Sequence, residues 1–327
     1  MNRRKHVSVI SLALAMLLLV TMLGGCGKPD AAEEPALPAQ TAEAEVPAEP
    51  TEAPAAEAET GRRDGERFEA VIILEGMEET VHYEHLRNDS LGFEMDYDYE
   101  NFLRHSEGDR EIFVSCWDDP DQPENYLEVK YSPLDAETLA ENIGAVLSNT
   151  YEISRDDAFM LEGAGRCIRI DASAEPGGLT MPDQLQMVYI IPAPDGCRIA
   201  TAHYAIEGSE GFGRRFRYMM DSFSAFAGQG EKWLTDEQAL AAIRNYCWIL
   251  NPDLEEIMKA GEYPVYWEIS SSDEKEIVVL FRSYTGAVNR YHIDPVSGDA
   301  YVTELVQGTA DQEQRTEESL NVWAYWF

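Results

Sequence analysis

Residues 93–100 read FEMDYDYE, with Phe93, Met95, Tyr97 and Tyr99 alternating with Glu94, Asp96, Asp98 and Glu100. A period of two this regular predicts a strand with one buried face and one wet face. Strands are also predicted at 80–86 (TVHYEHL), 111–117 (EIFVSCW) and 125–131 (NYLEVKY). After an intervening segment, further strands are predicted over 158–163, 165–173, 184–192 and 196–206, and the PAPDG turn joins the last two as a hairpin. The period changes to that of a helix over 132–150, where Leu139, Ile143, Val146 and Leu147 share one side. It does so again over 211–226, with Phe212, Phe216, Met219, Phe223 and Phe226 as the apolar stripe and Arg214, Arg215 and Arg217 outward. A third helix is predicted over 233–250, opened by a capping box of Thr235 and Gln238. A turn and short helix over 251–262 precede strands at 263–270, 275–283, 287–294 and 299–306, joined by the turns SSSDE, YTG and PVSG. Residues 309–319 read as a polar tail, and the closing NVWAYWF is expected to pack rather than form an exposed apolar patch.

Strands followed by helices, in hairpin order, predict an α+β fold. We expect two modules, 66–228 and 233–327, each an antiparallel sheet packed on helices. The LGFEMDY opening at 91–97, the central helix, the later meander and the closing amphipathic helix resemble the PsbP-like fold of secreted bacterial lipoproteins. That resemblance implies a fold and brings no catalytic motif. In the second module, Tyr291-His292-Ile293-Asp294-Pro295-Val296-Ser297-Gly298 is similar to the strand, aspartate and turn-glycine ending of PepSY-like domains. The similarity implies an inhibitory or interaction role.

The front of the chain carries a different pattern. Arg3, Arg4 and Lys5 precede an apolar run from Val7 to Met22. As a helix this run spans roughly 24 Å, short of the ~30 Å hydrocarbon core of a bilayer. A positive start, a short apolar core and small residues before a cut mark an export signal over 1–25. Leu23-Gly24-Gly25-Cys26 resembles the lipobox of bacterial lipoproteins. The resemblance implies cleavage between Gly25 and Cys26 and lipidation of the Cys26 thiol, which would anchor the chain on the outer side of the cytoplasmic membrane. Residues 26–65 are rich in Ala, Glu and Pro, with no aromatic residue before 66 and few large aliphatics. Such a segment cannot bury enough apolar surface to offset the entropy of ordering, so a disordered tether is expected.

Composition narrows the partners. The chain has 61 acidic residues against 25 Lys and Arg, a formal charge of −36. Nucleic acid and anionic polymers should be repelled; a cationic partner, a metal ion or plain solubility remain open. Beyond Cys26, the cysteines Cys116, Cys167, Cys197 and Cys247 allow three pairings. Cys167 and Cys197 sit two strands apart in the predicted meander, roughly 9.6 Å, too far for a disulfide. Free, mostly buried thiols are expected.

Candidate chemistry is sparse. The row Glu94, Asp96, Asp98 and Glu100 cannot converge on a calcium ion from a flat strand and reads as solvated. The loop Asp118, Asp119, Asp121 with Glu124 is the better metal candidate, but it lacks the turn glycine and late glutamate of an EF-hand. His82 and His85 face opposite sides of a strand and do not form a zinc pair. Ser115-Cys116-Trp117 lacks the context of a papain-like nucleophile, and Cys116 reads as a core cysteine. S-x-x-K at Ser272–Lys275 lies on a turn without its partner motifs. No catalytic set, resident metal or cofactor is expected. The sequence therefore predicts a lipid-anchored extracytoplasmic protein that binds an envelope protein or a small ligand. The rival is an envelope hydrolase with a non-linear site, which requires a histidine such as His203 or His292 beside a carboxylate or Cys116 in a cleft. A solute receptor of alternating strands and helices ranks third, because the chain runs in hairpins.

Overall fold

A computed structural model describes residues 61–119, 121–173, 184–230, 232–306 and 312–327. The expected signal sequence, Gly25, Cys26 and nearly all of the tether lie outside the described residues. In chain order the elements begin with β1 (Arg67–Leu74), β2 (Met77–Asn88), β3 (Phe93–Asp98), β4 (Phe102–Ser106), β5 (Arg110–Ser115) and β6 (Tyr126–Ser132). Then come α1 (Ala136–Leu147), β7 (Glu152–Leu161), β8 (Gly165–Ser173), β9 (Gln184–Ala193), β10 (Gly196–Ala205), α2 (Ser209–Asp221) and the short β11 (Ser224–Ala225). The rest is α3 (Asp236–Leu250), α4 (Leu254–Ala260), β12 (Tyr266–Ser272), β13 (Ile277–Arg282), β14 (Val288–Ile293), β15 (Asp299–Leu305), β16 (Gln314–Asn321) and a 3-10 turn at Val322–Tyr325.

The strands form three antiparallel sheets, ordered β1-β2-β3-β11, β4-β5-β6-β10-β9-β8-β7 and β12-β13-β14-β15-β16. The fold is mostly β, with a few helices laid on the sheets. One core joins the four-stranded sheet, α2 and one face of the seven-stranded sheet, through Phe93, Met95, Phe113, Leu127, Tyr189 and Phe216. On the opposite face of the seven-stranded sheet, α1 packs Leu139 and Ile143 against Ile170, Ile190 and Ile199. A third core joins α3 and the 3-10 turn to the five-stranded sheet through Ile243, Cys247, Tyr291, Val302 and Trp323. The closing aromatics pack as expected: Trp323 and Trp326 are buried.

Local sequence explains the element ends. Asp135 caps α1 by accepting from the Thr138 N–H at 2.9 Å. Thr235 and Gln238 form the predicted capping box of α3. At Gly92 the backbone is left-handed (φ 75°), and an added Cβ would run into Arg198, the Phe226 carbonyl and the Gly228 amide. Glycine is therefore required there twice over, by conformation and by space. The fully buried Arg198 uses that space to donate to the Gly92 carbonyl (3.1 Å), the Phe226 carbonyl (2.6 Å) and Asp195 (2.8 Å).

Three strands escape the period-two reading. In β1, Phe68, Ala70, Ile72 and Leu74 point inward, yet Val71 and Ile73 on the outer face are also apolar and exposed, which blurs the alternation. β4 buries Phe102 alone. β16 is the expected polar tail; the backbone ladder to β15 supplies what its side chains lack. The helix predicted to reach Phe226 stops at Asp221, because Ser222 closes it and the fully buried Phe223 turns to stack on Phe93 at 5.2 Å.

The acidic row of β3 is also corrected. It is not a solvated face. Glu94 pairs with Arg87 (2.8 Å), Asp96 with His85 (2.7 Å) and Arg62 (3.0 Å), and Glu100 with His82 (2.9 Å). Asp98 is buried and accepts from Asn101 (2.6 Å) and Arg215 (2.8 Å). Arg215, predicted outward, turns in to bridge Asp98 and Glu79. Burial pushes the Asp98 carboxyl up, against the pull of Asn101 and Arg215.

Candidate functional site

The cavity that gathers the most varied chemistry, about 580 Å³, opens where the segment before α3 passes the β2–β3 turn of the four-stranded sheet. Its walls come from four places: Ser90 and Leu91 after β2, the β4–β5 turn with Glu107 and Asp109, Tyr131 of β6, and the stretch Lys232–Gln238 that runs into α3. Trp323 completes the lining, its ring edge-on to Tyr131 at 6.2 Å. Trp233 stands at the rim, 44% exposed. The backbone N–H of Leu234 is anchored to the Pro295 carbonyl (2.8 Å), which fixes the start of α3.

The electrostatics are uneven. Glu107, Asp109, Asp236 and Glu237 face Lys232 across the space. Arg110 reaches Glu107 at 2.5 Å and Glu237 at 3.6 Å, which neutralises part of the wall. Lys232 is held inside: its ammonium donates to the Ser90 carbonyl and lies 5.2 Å from the Tyr131 ring centroid. Burial lowers the Lys232 pKa, and the nearby Arg198 adds to that. Burial raises the Asp109 carboxyl. Aromatic surface ringed by carboxylates suits a ligand with an apolar body and a cationic head.

The sequence-predicted candidates lie elsewhere. Asp118 turns its carboxylate onto its own loop, accepting from the backbone N–H groups of Glu124 (2.8 Å) and Asn125 (2.5 Å) and from the Asn125 side chain (3.0 Å). Asp119 accepts from the Asp121 N–H at 3.0 Å. Among the described residues, no group of three or more His, Cys, Asp or Glu side chains is placed to hold a metal ion. His82 and His85 lie on strand β2 and pair separately with Glu100 and Asp96. Cys116 corrects its prediction as a core residue: it is exposed in the turn after β5, next to Trp117, which is 63% exposed. Cys167, Cys197 and Cys247 are buried free thiols. Burial raises each to about 11, so none is a poised nucleophile.

Both histidines named as tests of the hydrolase reading have a carboxylate neighbour. His292 stacks on Tyr301 (4.5 Å), with Nδ1 3.4 Å from Glu276. His203 stacks on Tyr126 (4.3 Å), with Nε2 3.8 Å from Glu128, beyond hydrogen-bond reach. Glu128 also pairs with Lys130 at 2.9 Å. Burial pushes the Glu128 carboxyl up, but the ammonium and the imidazole outweigh it and hold the group at about 2. Asn245 of α3 and Phe327 close over this pair, leaving a cavity of about 180 Å³ that Cys116 does not line.

Of the cleft residues, Thr235 and Gln238 follow from sequence as a helix cap, and Trp323 as part of the closing NVWAYWF expected to pack. Lys232 falls between the two predicted modules, and Trp233 opens the second as the first residue of its predicted helix, which in the structure starts only at Asp236.

No protein-family model matches the chain, and no curated protein matches it. A crystal structure from Bacteroides thetaiotaomicron at 1.50 Å resolution is similar at 10% identity, covering 80% of this chain and 90% of that one, with a TM-score of 0.28. A likeness that loose carries no argument about fold or activity.

Proposed function

We propose that the chain is a lipid-anchored, extracytoplasmic binding protein of the bacterial cell envelope. Cys26 carries the lipid, residues 26–65 are the tether, and two modules, PsbP-like and PepSY-like, present the binding surface. The observation that carries the reading is the open cleft beside Trp233, where aromatic rings and carboxylates converge. Its occupant is an envelope protein or a small ligand with a cationic group. Anchoring is tested by metabolic labelling with a palmitate analogue, with the label expected on the wild type and absent from Cys26→Ser. Binding is tested by capture from envelope extract at low and high salt. A saturable partner released by salt assigns the contact to the acidic wall. A partner retained at high salt assigns it to the aromatic surface. No saturable partner, together with no small cationic ligand that quenches tryptophan fluorescence, contradicts the reading.

One observation favours the hydrolase as a second reading: His203 lies near Glu128 in a cavity. That cavity is smaller than the ~300–1,000 Å³ of most ligand pockets. Binding therefore ranks first. Hydrolysis of an ester or peptide substrate by the wild type, lost in His203→Gln, would reverse the order.

A further inference from the structure

In a chain of net charge −36, three arginines line a single cavity of about 620 Å³. Arg169 comes from β8; Arg214 and Arg217 come from α2. They occupy one another's vicinity despite their like charge, and the aromatic floor accounts for two of them. The guanidiniums of Arg169 and Arg217 both lie over the Phe159 ring, at 4.8 and 4.5 Å from its centroid. Cation–π attraction fixes their planes there.

Each of these two also has one carboxylate partner. Arg169 directs Nε and Nη2 to Asp171 (2.8 and 2.7 Å), and Arg217 directs Nη2 to Asp221 (2.9 Å). Those contacts use one side of each fork. Arg169 Nη1 and Arg217 Nε and Nη1 have no hydrogen-bond acceptor among the described residues, and Arg214, which is exposed, makes no ion pair among them. The first turn of α2 borders the same space through Ser209, and its cap residue, Gly208, offers no side-chain acceptor. Free guanidinium donors and the positive end of a helix thus converge on one volume. Glu75 and Glu210 also line it, and Asp171 and Asp221 hold two of the guanidiniums, so the site draws on the directed donors these pairs leave over and not on a net positive charge.

We infer that this cavity binds a phosphate group. Guanidinium forks match phosphate oxygens in pairs, a geometry that a single-point ammonium does not offer. The group can arrive as a free phosphate or monoester, or as the diester of a phospholipid headgroup. The fit is to the oxygens in either case.

The test is calorimetric titration of the full chain in detergent micelles at fixed ionic strength. The probes are inorganic phosphate, glycerophosphoglycerol as a deacylated headgroup, and acetate as a charge control. The inference expects saturable binding of at least one phosphate probe, tighter than acetate. It also expects at least a tenfold weaker Kd in Arg214→Gln, an exposed position where the fold is not at stake, with partial recovery in Arg214→Lys. Phosphate binding alone assigns a free phosphate or monoester; glycerophosphoglycerol binding alone assigns the headgroup; both outcomes support the site. Binding of neither probe overturns the inference. So does phosphate binding that Arg214→Gln leaves unchanged, or that acetate matches.

Discussion

Strands β3 and β6 begin from the same kind of sequence and end in different places. FEMDYD and YLEVKYS both alternate apolar and charged residues, and both bury the apolar set in the same core. On β3 Glu94 and Asp96 stay half-buried, where Arg87, Arg62 and His85 reach them, and only Asp98 at the strand's end is fully buried. On β6 the charged set is buried: Glu128 and Lys130 lie beneath α3 and the closing aromatics, with Trp326 4.5 Å from the Lys130 ammonium. Alternation tells which residues share a face. It does not tell whether a distant part of the chain covers that face. A surface ion pair contributes about 0–1 kcal/mol, whereas breaking a buried one costs about 3–5 kcal/mol.

The largest effect should therefore come from Lys130→Met, which leaves Glu128 buried without its cation. Denaturant unfolding should show a loss of about 3–5 kcal/mol, and the double variant Glu128→Leu/Lys130→Met should recover most of it. If the single change costs no more than a surface pair, the contrast between the strands collapses. Next comes Trp326→Ala, which removes the ring over Lys130. A loss of about 3 kcal/mol is expected from the cavity alone. Acid titration sharpens the comparison. The folded Glu128 carboxyl lies at about 2, against an ordinary 4.5, so its contribution is complete above pH 4.5 and fades as pH falls toward 2. In Lys130→Met burial dominates and raises the carboxyl, so the dependence reverses, and Glu128 then costs stability as pH rises instead of as it falls. The smallest effect belongs to Arg87→Ala on the β3 face, below about 1 kcal/mol and smaller still in salt.

Much of the fold was legible where one strand or helix carries its own signal. The capping box at Thr235, the α1 stripe from Leu139 to Leu147 and the hairpins of β8–β10 and β12–β15 all follow from local pattern and turn chemistry. What was not legible depends on tertiary cover. The polar strand β16 pairs through its backbone, and Arg215 turns inward because Asp98 waits at the end of β3. Cys116 looked like core within EIFVSCW, but β5 ends one residue before it. The cleft escaped detection for the same reason: Asp109, Tyr131 and Trp233 are far apart in sequence and meet only when the chain folds.

The proposed binding role rests on that meeting. The most direct measurement compares soluble residues 61–327 with the variants Trp233→Ala and Glu237→Gln, titrated with whatever saturable partner the wild type captures. Both positions line the cleft, and neither side chain is buried in a core. The account predicts a Kd at least tenfold weaker for Trp233→Ala, and a smaller, salt-dependent loss for Glu237→Gln. Equal affinity in all three proteins would contradict it and place the binding surface elsewhere on the molecule.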